Sequence, residues 1–227
     1  MSNNIRLIIN SSPRSGQAWL EFLITNSLNF NPRTDNNILI RTHLPLMLYA
    51  KFDDIFQTII LRNPLDIIPS IVTKTMGGFG SNIVSGVSMP HEANHLPDLK
   101  TLILDQIEIY HNYTQGIIKN INTIIPFTFE QVTQDIEFIM TTLLKITNCN
   151  GTIHKNEDIN NLIEIARNRI VQHNKGEIGF NNPVPIERKP DVYYEAKKIV
   201  NNLIEIKQSI DIYEKAKSMI YEKQNKI

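Results

Sequence analysis

Apolar residues along the chain fall in short runs that alternate with longer amphipathic stretches. Residues 5–9 are a β-branched run closed by Asn10-Ser11-Ser12-Pro13, which reads as a strand and its stop. Residues 18–28 carry Trp19, Phe22 and Leu23 at helical spacing. Residues 38–40 and 57–61 are further strand candidates, the second ended by Arg62-Asn63-Pro64. Residues 65–75 and 99–121 read as helices. Residues 123–129 read as a strand whose Pro126 places it at a sheet edge or at a strand start. Residues 133–147 and 158–173 read as helices, and 193–223 as a long amphipathic C-terminal helix with room for one break.

Short buried strands alternating with helices predict an α/β fold. We expect a three-layer sandwich with a central, mainly parallel sheet flanked by helices. The 227 residues suit a single domain, 1–227, large enough to bury a core without disulfides or structural metal. In such sheets ligands sit at the carboxyl ends of the strands, so the residues just past each strand matter most. After the first strand comes Ser-Ser-Pro-Arg-Ser-Gly-Gln, after the second Arg-Thr-His-Leu-Pro, after the third Arg-Asn-Pro-Leu-Asp.

Charge narrows the ligand. The chain carries 23 basic and 23 acidic residues, so a broadly basic nucleic-acid surface is excluded. Any positive site must be concentrated in a pocket. The one cysteine, Cys149, leaves no intrachain disulfide, which fits a reducing, cytoplasmic setting. No apolar run is long enough to cross a membrane as a helix, and no leader-like segment is read, so neither a membrane nor a nucleic acid is expected as partner.

The first loop, Pro13-Arg14-Ser15-Gly16-Gln17-Ala18-Trp19, joins a strand to a helix. Amide groups at a helix start attract anions, Gly16 permits close approach, and Arg14 adds fixed charge. The Walker A spacing of phosphate-binding loops is absent. At the third strand end, Ser70 lies eight residues after Arg62 and returns to roughly the same side, so the pair could hold a second phosphate.

These segments resemble the sulfotransferases that use 3′-phosphoadenosine 5′-phosphosulfate (PAPS). Ser12-Pro13-Arg14-Ser15-Gly16-Gln17-Ala18-Trp19 is similar to the family's 5′-phosphosulfate loop. Arg62 to Ser70 matches its Arg-Asn-Pro-x-Asp-x-x-x-Ser 3′-phosphate motif in full. Arg41-Thr42-His43-Leu44-Pro45 is similar to the Lys-Thr-His-Leu-Pro segment of cytosolic members. Asn174-Lys175-Gly176 to Phe180 resembles the late segment that closes over the nucleotide, and Phe127 to Glu130 a Tyr-Glu-Asp strand end. Gln17 and Ala18 stand where the family carries a threonine pair, Asn174 where it carries an arginine, and Phe129 where it carries a tyrosine. With 26 residues between Arg14 and Arg41, part of the usual acceptor-binding region is absent.

The resemblance implies a fold like that of P-loop nucleoside triphosphatases. It implies sulfuryl transfer from PAPS, with 3′-phosphoadenosine 5′-phosphate (PAP) as product and no metal, to a hydroxyl or amine of a small acceptor. His43 would be the general base, its imidazole suited to proton uptake near neutrality. Arg14 and Arg41 would stabilise the leaving group by charge. Pro13 to Ala18 would hold the 5′ end of the nucleotide, with Trp19 stacked on adenine unless it is a core residue of its helix. Arg62, Ser70, Lys175 and Gly176 would hold the 3′-phosphate. A nucleotide-binding protein without turnover on the same fold, and a P-loop phosphotransferase, are the alternatives. His91-Glu92-Ala93-Asn94-His95 has zinc-protease spacing, but Pro90 and Pro97 leave no helix long enough to present both imidazoles. Residues 76–97 read instead as a loop over the acceptor site.

Overall fold

The computed structural model describes residues 6–12, 14–27, 38–42, 55–76, 83–84, 87–88, 98–147, 151–174 and 191–226. Strand β1 (Arg6–Asn10) leads to helix α1 (Gln17–Ser27), then β2 (Ile38–Thr42) and β3 (Phe56–Leu61). Helix α2 (Pro64–Met76) follows, then two two-residue strands, β4 (Ile83–Val84) and β5 (Val87–Ser88), which pair antiparallel. Next come α3 (Leu99–Lys119), β6 (Ile125–Thr128), α4 (Phe129–Gln134), α5 (Ile136–Thr147) and a short 3-10 turn at Asn156–Asp158. The chain ends in α6 (Ile159–Asn174), α7 (Asp191–Asn202) and α8 (Ile206–Gln224).

The four longer strands form one parallel sheet in the order β2-β1-β3-β6. Both faces are covered by helices, which is why Ile59, Ile60 and Leu61 are consecutive and all at most 1% exposed. Leu7, Ile9, Ile60 and Phe127 pack with Trp19, Phe22 and Leu23 of α1 and with Ile139 and Leu143 of α5. Ile59 and Leu61 face the other way, onto α2, α3, α7 and α8. Each fully buried Ile or Leu contributes ~2 kcal/mol of transfer free energy. Helices on both faces of a parallel sheet agree with the sequence pattern.

Two boundaries differ from that pattern for reasons of local chemistry. β6 stops at Thr128, because Thr128 caps α4: its hydroxyl accepts from the Gln131 amide while the Gln131 side chain accepts from the Thr128 amide. Helix formation therefore begins at Phe129, inside the stretch read as strand. The helix expected over 133–147 is two helices, since Asp135 leaves helical geometry with φ −129 and ψ 61. The long C-terminal helix takes the one break left open for it: α7 and α8 are separated by residues 203–205. Pro126 sits in β6, an edge strand among the described residues, where a missing ladder donor is tolerated.

Candidate active site at the carboxyl ends of β1 and β3

The strand order reverses direction at β1: the chain goes first to β2 on one side, then to β3 on the other. A crevice opens between carboxyl ends at such a switch point, and ligands of open α/β sheets bind there. The loop from β1 to α1 and the turn from β3 to α2 both lie at this point.

The β1 loop has an uncommon backbone. Arg14 has φ 66 and Gly16 has φ 96, both left-handed, with Ser15 between them. Such alternation turns successive amides to one side and makes a concavity for anions. The first-turn amides of α1, which lack intrahelical acceptors, follow directly, while the Ser15 amide donates to the Ser12 carbonyl at 3.3 Å. Arginine in the left-handed region costs about 1–2 kcal/mol, a strain that is found where function over-determines the backbone. Ser15 is fully buried and its hydroxyl has no partner among the described residues.

The β3 turn is built locally. Arg62 follows the strand, the Asn63 side chain accepts from the Leu65 amide, and Pro64 opens α2. Ser70, 3% exposed, lies nearly two turns into α2. Three contacts then join the two loops. Arg14 Nε donates to Ser70 Oγ at 3.3 Å, and Arg62 Nη1 donates to the Arg14 carbonyl at 2.7 Å. The Arg62 guanidinium also lies 4.0 Å from the centre of the Phe129 ring, which packs against Gly16.

Burial pushes both arginines below their ordinary pKa. For Arg62, Asp66, Tyr193 and Glu130 pull back up while Arg14 pushes down. Both remain cations, as arginine does in proteins. Among the described residues the carboxylate pairs are Arg41–Glu21, Lys155–Glu157 and Lys197–Asp66, so neither Arg14 nor Arg62 has a carboxylate within salt-bridge distance there. Two half-buried positive charges side by side, with neutral partners only, favour an anion between or above them. The buried Nε of Arg62 is also unpartnered.

Several sequence-predicted roles change. The side-chain nitrogen of Gln17 is committed within the fold. It donates to the carbonyls of Thr42 at 2.8 Å, Ser11 at 2.9 Å and Ile9 at 3.3 Å, so it ties β1 to β2. Trp19 is 3% exposed, stacks on Phe22 with centroids 5.4 Å apart, and donates from Nε1 to the Val132 carbonyl at 2.9 Å. It is a core residue with no ring face open to a base. Arg41 pairs with Ile9 in register and turns to the α1 side, where its Nε meets Glu21 Oε2 at 2.8 Å. Ala18 is half-buried in the first turn of α1. Pro13, His43, Lys175 and Gly176 lie outside the described residues, as do residues 91–95 of the zinc-like pattern.

Two residues to which the motifs give no role prove central. The Tyr110 hydroxyl donates to the Arg62 carbonyl at 2.8 Å, and the Tyr113 hydroxyl to the Asn10 carbonyl at 3.3 Å. Their signal in the sequence is a pair of phenols on the largely apolar inner face of α3, where buried tyrosines need partners. The chain matches no protein-family model, and no curated protein matches it in sequence.

Proposed function

We propose that this chain binds a 3′-phosphorylated adenine nucleotide at the β1/β3 switch point and transfers a sulfuryl group from PAPS to a small hydroxyl or amine acceptor. One observation carries the reading. Arg14, Arg62 and Ser70, separated by 48 and 56 residues, are brought into contact where two loops offer two adjacent anion positions. The left-handed cradle at Arg14 and Gly16 suits a 5′-phosphosulfate, and the Arg62–Ser70 turn suits a 3′-phosphate. The unpartnered Ser15 hydroxyl and Arg62 Nε are groups such a ligand would satisfy. The resemblance in sequence and the parallel α/β sheet support the same reading.

The residues divide the work by charge. Arg14 would offset negative charge on the bridging oxygen as the sulfur–oxygen bond lengthens. Arg62 and Ser70 would hold the second phosphate, with Lys175 and Gly176 closing that end. His43 would take the acceptor proton. Arg41 could reach the leaving group only by parting from Glu21. Trp19 is given no stacking role.

The test is a thermal-shift titration. Saturable stabilisation by PAP, and weaker stabilisation by AMP, is expected; no response to PAP overturns the reading. Transfer of labelled sulfate from PAPS, scanned over sugars, phenols and amines, then tests turnover. Full activity in His43→Ala would remove His43 as the base. A second reading, nucleotide binding without turnover, draws on the commitment of Gln17, Trp19 and Arg41 to other partners. PAP binding with no transfer to any acceptor would favour it.

A further inference from the structure

We propose that α3 sets the spacing of the two anion positions, with Tyr110 and Tyr113 as positioning residues and Tyr110 governing preference for a 3′-phosphorylated ligand. This inference rests on the nucleotide reading above.

Asn10 is the last residue of β1, and Arg62 follows the last residue of β3. Asn10 pairs with Thr42 on the β2 side but lies past the β1–β3 register, which ends at Ile9↔Thr58, and Arg62 lies past the β3–β6 register; carbonyls where a ladder has ended need other donors. One helix supplies both. Tyr110 and Tyr113 are three apart, so their side chains leave neighbouring positions on one helix face. The Tyr110 hydroxyl reaches the Arg62 carbonyl at 2.8 Å, and the Tyr113 hydroxyl reaches the Asn10 carbonyl at 3.3 Å. Both phenols are driven well above their ordinary pKa, chiefly by burial. They therefore stay protonated donors at any working pH.

The contacts extend to the cations. Arg62 Nη1 donates to the Arg14 carbonyl at 2.7 Å, so the placement of Arg62 is felt in the cradle. Tyr110 acts on the backbone of Arg62 itself, and Tyr113 on the strand that launches the cradle. Removing the first hydroxyl should loosen chiefly the Arg62 end, with only a small effect carried to the cradle through the Arg62–Arg14 contact. Removing the second should loosen the cradle that both PAP and AMP use.

A packing-only role for these tyrosines makes a different prediction, and the ratio of two affinities separates them. Dissociation constants for PAP and for AMP are measured on the full chain, wild type, Tyr110→Phe and Tyr113→Phe, with melting temperatures of the free proteins alongside. Tyr110→Phe is expected to cut the preference for PAP over AMP by roughly three- to tenfold, the worth of one hydrogen bond. Its AMP affinity is expected to stay within about twofold. Tyr113→Phe is expected to weaken both ligands equally, leaving the preference intact. A lowered melting temperature with an unchanged PAP/AMP ratio in Tyr110→Phe overturns the inference. If that variant does not fold, Tyr113→Phe decides: unequal loss, or none, overturns it. Wild-type protein that binds no PAP overturns the nucleotide reading itself, and the inference with it.

Discussion

Gly16, Phe129 and Arg62 form a stack in which each layer constrains the next. A Cβ at position 16 would lie 3.3 Å from two atoms of the Phe129 ring, and φ 96 strains any L side chain. Gly16→Ala is therefore expected to cost about 1–2 kcal/mol in chemical denaturation. Because that ring supports the Arg62 guanidinium at 4.0 Å, PAP affinity should fall with it. Trp19 tests the opposite point. As a core residue it should matter for stability and not for the ligand. Trp19→Ala is expected to cost ~3–5 kcal/mol. Trp19→Phe should cost less and leave the PAP dissociation constant unchanged; a large loss of affinity there would restore a stacking role.

Helix α3 carries both positioning tyrosines, and its two ends are held by different chemistry. At the start, Asp98 accepts from the Lys100 and Thr101 amides and from the Thr101 hydroxyl. The hydrogen bonds from Thr101 hold its carboxyl below the ordinary 3.8. A depressed carboxylate stabilises the fold above its unfolded pKa, and that contribution fades as pH falls through the folded value. Asp98→Ala should lower the melting temperature at pH 7, and the gap to wild type should shrink as pH drops below 3.8. Asp98→Asn keeps a cap that does not titrate, so it should start closer to wild type at pH 7, and wild type should lose stability relative to it over the same pH range. Past the other end, Lys223 of α8 donates to the carbonyls of Ile121, Asn122 and Ile124 at 2.7, 3.2 and 2.6 Å. Lys223→Met removes those donors and is expected to cost about 1–3 kcal/mol, measured by urea denaturation.

At the scale of the molecule, charge is balanced, 23 against 23, while two cations without carboxylate partners among the described residues are gathered at the β1/β3 switch point. Such a distribution favours a small ligand with two anionic groups over a polymer. Polyadenylate should not compete with PAP at physiological salt, and the salt dependence of PAP binding should be shallow, reflecting few ionic contacts. A fluorescence competition across a salt series checks both. No described helix is long and apolar enough to cross a membrane.

Much of this architecture comes from local order along the chain. Periodicity places the parallel strands and their helices, because burial on one or two faces imposes a repeat that neighbours in sequence reveal. Arg62-Asn63-Pro64 marks a strand end, a cap and a helix start for equally local reasons. The Thr128–Gln131 cap is a local pattern as well, but the apolar run before it carries the strand reading on through Phe129 and hides the helix start. Partner choice is another matter. Gln17 meets Thr42 across 25 residues, Trp19 meets Val132 across 113, and Tyr113 meets Asn10 across 103. A side chain's role depends on which acceptor lies within ~3 Å of it. Only the packed chain decides that, by bringing strand ends and α3 together. The arginines could be named from their loops, but their contact with one another, and the helix that spaces them, came from the tertiary structure.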